Sequence, residues 1–202
     1  MRVLVTAGPT REPIDPVRFF SNRSTGGMGF ALAREALRRG HAVSLVLGPV
    51  AGAPPAGADL VAVQTAREML AAALAELPRC DAIVCAAAVA DVRPAEESDR
   101  KIKRGALRRI AFVENPDIAR ELGARRGTRP MAIFALETGA GEAEAIAKLE
   151  RKHADWCVLN GPEAIGAAQA RFRLLAKQGG VRDLGTIDKA ALAAALFDAL
   201  GI

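Results

Sequence analysis

Short, uninterrupted apolar runs that alternate with segments of helical periodicity leave this chain few folds to choose from. Val3-Leu4-Val5-Thr6 shows no polar alternation, as a strand covered on both faces of a parallel sheet requires. Over 30–37 the apolar residues return at helical spacing, and Arg38, Arg39 and Gly40 close that helix ahead of His41. A second strand is expected over 42–47 and a third over 59–63, with Thr65 as N-cap of a helix from Ala66 to about Leu77. Asp81 to Ala87 reads as another buried strand. This order predicts right-handed crossovers and an α/β, doubly wound, mostly parallel sheet, with ligands beyond the carboxyl ends of the strands.

A charged excursion over about 92–110, with Arg93, Arg100, Lys101, Lys103, Arg104, Arg108 and Arg109, interrupts the alternation. A helix then starts at Asn115-Pro116-Asp117-Ile118, read with Asn115 as N-cap and Pro116 at the first helical position. Further elements are expected as a strand over 130–135, a helix over 143–153 and a strand over 155–159 that ends at Asn160. Residues from about 161 to 202 form a small C-terminal β extension: a segment over 171–176, a turn at Gly179-Gly180, and an alanine-rich helix from Asp188 to Leu200. With 202 residues, 50% of them apolar, the chain suffices for one domain.

A net charge of +5 and a pI near 9.6 suit anionic ligands or solvent-facing arginines. Nucleic-acid binding is disfavoured, because aromatic residues make up only 4% of the chain, tyrosine is absent, and no dense basic tail occurs. Cys80, Cys85 and Cys157 are odd in number and set in apolar surroundings, so they read as small buried hydrophobes in a reducing compartment. His41 and His153 stand apart from any triad or metal-ligand pattern and are expected at the surface. No apolar stretch approaches a span of roughly 20 residues, and Met1 runs directly into the first strand, so a cytoplasmic location with no membrane partner is expected.

The long loop expected after the first strand carries Arg11, Arg18, Asn22, Arg23, Ser24 and Thr25 before Gly26-Gly27-Met28-Gly29 opens the helix. Free backbone N–H groups and the positive end of the helix dipole make this an anion site. A second constellation is Ala86-Ala87-Ala88-Val89-Ala90-Asp91, followed by Lys101-Ile102-Lys103. Small residues at a strand end let a base or ribose approach the backbone, and a cationic segment can fold over a triphosphate. Read from the residues alone, Lys101 and Lys103 fit a solvated loop, Phe134 the core, and Lys148 and Lys152 a solvated helix face one turn apart.

The opening segment resembles the phosphopantothenate–cysteine ligases, the second half of the bifunctional bacterial flavoproteins of coenzyme A synthesis, whose pattern is close to T-A-G-P-T-R-E-P-(I/L)-D-P-V-R-x-(I/F)-S-N-x-S-(S/T)-G-x-M-G. The resemblance continues in the A-A-V-A-D segment, in K-x-K-K at Lys101, in N-P-D-I at Asn115, in F-A-L-E-T at Phe134, in Lys148 and Lys152, and in the strand from Asp155 to Asn160. It implies a Rossmann-like fold, CTP rather than ATP as co-substrate, and Mg²⁺ on the triphosphate. Gly8, Ala86, Ala87, Asp91, Lys101, Lys103, Pro116, Asp117, Ile118, Phe134, Lys148 and Lys152 are implied at the nucleotide. Asn22, Ser24, Thr25, Gly26, Gly27 and Met28 are implied at the acyl substrate, with Asn22 holding the reacting carboxylate and Arg18 supporting that loop. Lys101 is implied as the essential lysine, serving the nucleotide phosphates and the cysteine-dependent step. No residue is implied as a metal ligand.

The implied reaction joins 4′-phosphopantothenate to cysteine through an acyl-cytidylate. The resemblance further implies a homodimer whose charged excursions contribute to the partner's site, and a flavin-dependent decarboxylase half that is either made as a separate protein or joined to this domain in a longer one. Departures are Gly27 where many bacterial members carry lysine, Arg104 at the last lysine of K-x-K-K, and Ala168, Gln169 and Ala170 before the next strand. Two alternatives stay open: an NAD(P)-binding reductase using the glycine cluster, and a nucleotide-binding paralogue without activity. Against the first, the glycines lie about twenty residues after the strand and no tyrosine is available for a Tyr-x-x-x-Lys pair.

Overall fold

A computed structural model of the chain describes residues 1–105, 107, 109–139 and 141–202; Arg108 of the excursion lies outside the described residues. The elements are β1 (Arg2–Ala7), β2 (Arg11–Asp15), β3 (Arg18–Ser21), α1 (Gly27–Arg38), β4 (Ala42–Leu47), β5 (Asp59–Ala62), α2 (Ala66–Glu76) and β6 (Ala82–Cys85). They continue as β7 (Val92–Pro94), β8 (Phe112–Glu114), α3 (Ile118–Arg125), β9 (Met131–Leu136), α4 (Glu142–Arg151), β10 (Trp156–Asn160), β11 (Gln169–Ala176), β12 (Val181–Asp188) and α5 (Lys189–Leu200).

Eight strands form one sheet in the order β12-β11-β10-β9-β6-β1-β4-β5. From β10 to β5 every neighbouring pair is parallel, and β11 and β12 add an antiparallel hairpin at the β10 edge. The doubly wound α/β expectation holds. Alternate residues of β1 serve opposite faces: Val3, Val5 and Ala7 pack with Phe30, Leu32, Leu196 and Phe197 of α1 and α5, while Leu4 packs with Met69 of α2, Leu122 of α3 and Leu149 of α4. No described helix is long and apolar enough to cross a membrane.

Three local expectations are corrected. The loop after β1 contains a hairpin, β2 on β3, whose turn is built by Asp15: its Oδ1 accepts from the N–H groups of Val17 and Arg18, both at 2.9 Å. Pro13 and Pro16 mask this strand pair from a periodicity reading. The helix after the excursion is capped by Asp117, whose Oδ1 accepts from Arg120 N–H at 3.1 Å, rather than by Asn115. The Asn115 side chain is committed elsewhere, donating to the Ala90 carbonyl at 2.8 Å. His41, expected at the surface, is half-buried, and no described group partners its Nε2; His153 is exposed as expected.

Thr65 caps α2 as expected, accepting from Glu68 N–H at 3.2 Å. The buried Glu12 adds a carboxylate to that helix start, accepting from Ala66 N–H at 3.0 Å. Close packing sets the α1 entry: Gly26 adopts φ 77°, and a Cβ on Gly29 would stand 2.2 Å from Ala7 Cβ. At the other end of α1, Arg39 joins Glu35 and Asp198, each at 2.7 Å, and donates to the Ile202 carbonyl at 2.7 Å. Ala42 N–H donates to the Met1 carbonyl at 2.9 Å, so both chain ends meet the α1–β4 turn.

Candidate active site

The chain runs from β1 outward through β4 and β5, then returns to β6 on the other side of β1 and proceeds to β9 and β10. A crevice opens outside the carboxyl ends of the strands at such a reversal. It is a cavity of about 700 Å³ bordered by Thr6 after β1, the segment 85–91 after β6, Phe134 and Leu136 of β9, and Asn160 of β10. The first residues of α1 and α3 close two further sides.

Asn22 fixes the wall nearest β1. Its Nδ2 donates to the carbonyls of Ala88 at 3.1 Å and Val89 at 3.0 Å, and no described residue donates to its Oδ1. The same wall is held from behind by Thr10, whose Oγ1 accepts from Ala90 N–H at 3.0 Å. Gly8 lies behind this wall too, its carbonyl accepting from Ala88 N–H at 2.9 Å, and does not border the cavity among the described residues.

Opposite, Lys148 pairs with Glu137 at 2.5 Å and Lys152 with Asp117 at 3.3 Å. Asp117 therefore caps α3 and fixes a cavity lysine at once. Phe134 is half-buried, one part of the ring in the core and another on the cavity. Burial pushes the Cys85 thiol, on the cavity wall, up to about 12, and it does the same for Cys157. Cys85 therefore supplies no thiolate nucleophile at neutral pH.

The cavity brings together Asn22, Ser24, Thr25, Gly27, Met28, Ala86, Ala87, Asp91, Pro116, Asp117, Ile118, Phe134, Lys148 and Lys152. It does not bring in Gly8, Gly26, Arg18, Lys101 or Lys103 among the described residues. Gly26 is the N-cap of α1. Arg18 donates to Asp15 Oδ2 at 3.0 Å and to the Ile102 carbonyl at 3.1 Å, and Ile102 N–H donates back to Asp15 Oδ2 at 3.1 Å. Lys101 and Lys103 flank this clamp and are exposed. Burial alone would raise the Asp15 carboxyl, but the N–H donors of Val17 and Ile102 and the Arg18 charge outweigh it and hold it below the usual range.

Residues not anticipated as cavity-forming include Thr6, Ile165, Gly166, Phe172 and Lys189. The last four belong to the C-terminal extension: Ile165 and Gly166 follow directly from the carboxyl end of β10, while Phe172 and Lys189 come with the antiparallel hairpin that folds back along β10, which no local pattern signals.

The chain matches the family described as DNA/pantothenate metabolism flavoprotein C-terminal domain over residues 1–201. The chain belongs to that family. A crystal structure of the C-terminal domain of coenzyme A biosynthesis bifunctional protein CoaBC superposes on this flavoprotein C-terminal domain with a TM-score of 0.86 and 35% identity, covering 98% of this chain and 93% of that one. The coenzyme A biosynthesis bifunctional protein CoaBC of Mycobacterium tuberculosis is 42% identical over 182 residues, 84% of this chain and 43% of its own length. A protein named cysteine/cysteine sulfinic acid decarboxylase, from an unknown prokaryotic organism, is 45% identical over 169 residues, 82% of this chain and 47% of its own. The domain thus spans about half the length of these curated relatives.

Proposed function

We propose that this domain is a phosphopantothenate–cysteine ligase of coenzyme A biosynthesis, acting with CTP in the cytoplasm. The observation that carries the reading is the convergence in one cavity of Asn22, the 86–91 segment, Asp117, Phe134, Lys148 and Lys152, residues that the sequence scatters over more than half the chain.

A carboxylate reacts with an amine only after one of its oxygens becomes a leaving group. The substrate carboxylate attacks the α-phosphorus of CTP and pyrophosphate departs. The cysteine amine then attacks the acyl carbon, losing a proton as CMP leaves with the C–O bond electrons. Asn22, its Nδ2 donating to the Ala88 and Val89 carbonyls, gives the reacting end a rigid wall, and the lysines counter phosphate charge; positioning and charge complementarity supply the catalysis, and no side-chain nucleophile is required.

Mg²⁺ suits the donor set. Asp117 is committed to Arg120 and Lys152, which leaves Asp91 as the cavity carboxylate for an ion carried mainly by phosphate oxygens. When bound, that ion neutralises triphosphate charge.

A homodimer completes the site in this reading. Lys101 and Lys103 are exposed and do not border their own cavity, while Phe19, Phe20, Phe112 and Val113 are exposed and the Phe20 and Phe112 rings meet edge-on at 5.4 Å. An exposed aromatic patch beside a misplaced cationic segment suits a second copy that receives both. A flavin-dependent decarboxylase would then act on the phosphopantothenoylcysteine formed.

The test is pyrophosphate release with 4′-phosphopantothenate, Mg²⁺ and either CTP or ATP, with and without cysteine, products identified by mass. CMP and phosphopantothenoylcysteine from CTP support the reading; no release with either nucleotide from folded protein overturns it.

A further inference from the structure

The wall that Asn22 meets lies beyond the end of β6, where regular pairing runs out. Pro9 bridges Ala88, Ala88 N–H donates to the Gly8 carbonyl at 2.9 Å, and Thr10 N–H donates back to the Ala88 carbonyl at 3.3 Å. There the Thr10 side chain takes over from the backbone. Its Oγ1 accepts from Ala90 N–H at 3.0 Å, and both residues are buried.

Thr10 acts on the other partner of the wall as well. Its carbonyl accepts from Ser21 Oγ at 2.6 Å, and the β2–β3 register, with Arg11 opposite Ser21, places Asn22 directly after that pair. Asn22 Nδ2 then crosses to the carbonyls of Ala88 and Val89. The contacts close into a ring: Thr10 to Ala90, along the chain to Val89 and Ala88, across to Asn22, along to Ser21 and back to Thr10. One residue thus fixes both the carbonyls and the amide that meets them. Turned over, that amide would set its oxygen against two carbonyl oxygens, so the ring leaves it one orientation. Thr10 is wholly buried and stands behind the cavity lining, so it acts through Asn22 rather than on a ligand.

We propose that Thr10 is a positioning residue for the ligation, holding the Asn22 amide, through this ring, in the orientation that serves the reacting end of the acyl substrate. The inference rests on the ligase reading. Thr10→Val keeps the branched shape but leaves Ala90 N–H buried without an acceptor; Thr10→Ser keeps the hydroxyl. Ser21→Ala opens the same ring at a half-buried residue, where folding depends on it least.

The test follows the side-chain amide signals of Asn22 by nuclear magnetic resonance, assigned by their loss in Asn22→Ala, beside kcat and the KM for CTP, in wild type and these three variants, each checked for cooperative melting. Thr10→Val is expected to move the Asn22 signals and lower kcat by about tenfold or more, with the KM for CTP little changed. Thr10→Ser restores both, and Ser21→Ala moves the same signals. Asn22 signals that stay in place in Thr10→Val and Ser21→Ala overturn the inference, as does a rise in the KM for CTP at unchanged kcat, or a loss that Thr10→Ser does not restore. Ser21→Ala decides by itself if Thr10→Val does not melt cooperatively. Wild-type protein that releases no pyrophosphate with either nucleotide overturns the ligase reading and the catalytic part of this inference with it, while the Asn22 signals still decide whether Thr10 holds that side chain.

Discussion

The Arg18 guanidinium donates to the Ile102 carbonyl at 3.1 Å, across 84 positions of sequence. With Asp15 as the shared acceptor, this contact ties the β2–β3 hairpin to the segment that carries Lys101 and Lys103. Arg18 therefore bears on the excursion more directly than on Asn22.

Arg18→Ala and Asp15→Asn are each expected to release residues around 100–104 without unfolding the sheet. Limited trypsin digestion should then cut at Arg100, Lys101, Lys103 or Arg104 faster than in wild type, while the protein still melts cooperatively. Equal cleavage rates would show that the clamp does not order this segment.

Asn22→Asp replaces a donor by an anionic oxygen facing the carbonyls of Ala88 and Val89, now 3.1 and 3.0 Å from Nδ2. Turnover is expected to fall about a hundredfold or more, or to stall with the acyl-cytidylate accumulated and detectable by mass, while the protein still melts cooperatively. Wild-type turnover by this variant would remove Asn22 from the reaction.

If Lys101 acts in the partner's cavity, two inactive variants should complement one another. Mixing Lys101→Ala with Asn22→Asp subunits, after exchange, yields mixed dimers with one intact site each and about a quarter of wild-type activity. Absence of any recovery, in a mixture shown to exchange, would place Lys101 in its own protomer.

Glu35 is held by Arg38 and Arg39, which lower its carboxyl from 4.5 to about 2 against the opposing effect of burial. A carboxylate depressed in the folded state stabilises above its unfolded value and loses that contribution as pH falls from 4.5 towards 2. Glu35→Gln should cost about 1–3 kcal/mol at neutral pH, measured by urea unfolding, and the gap from wild type should close as pH falls through that window.

His41 has the opposite sign of pH dependence to an ion-paired histidine. Burial, the chain's amino terminus and Arg39 lower its pKa from 6.5, so the unfolded chain takes up the proton first and stability falls as pH drops through 6.5. His41→Leu should gain thermal stability over wild type at pH 5 compared with pH 8. A constant difference between the two would dissociate His41 from acid sensitivity.

The parallel sheet was legible because each strand is a bounded apolar run, and Ala42–Leu47 is found over the residues the pattern marks. The β2–β3 hairpin was not, because two prolines and a turn built by Asp15 side-chain acceptance leave no alternation to read. Asn115 misled for a related reason: its residue type suits a cap, yet its amide serves the Ala90 carbonyl and the next aspartate caps instead. At the cavity, strand-end residues such as Asp91 and Phe134 were visible from their motifs. Lys189 was not, since only the antiparallel return of β11 and β12 brings the start of α5 beside the start of α1.

Met1 and Ile202 both hydrogen-bond to the turn that follows α1, at the amino end of β4 and so at the end of the sheet opposite the cavity. A polypeptide joined to either end therefore enters from behind, and its length or bulk leaves the mouth open to substrates. The proximity of the two ends also permits them to be linked and the chain reopened elsewhere, a rearrangement that leaves the order of strands in the sheet intact.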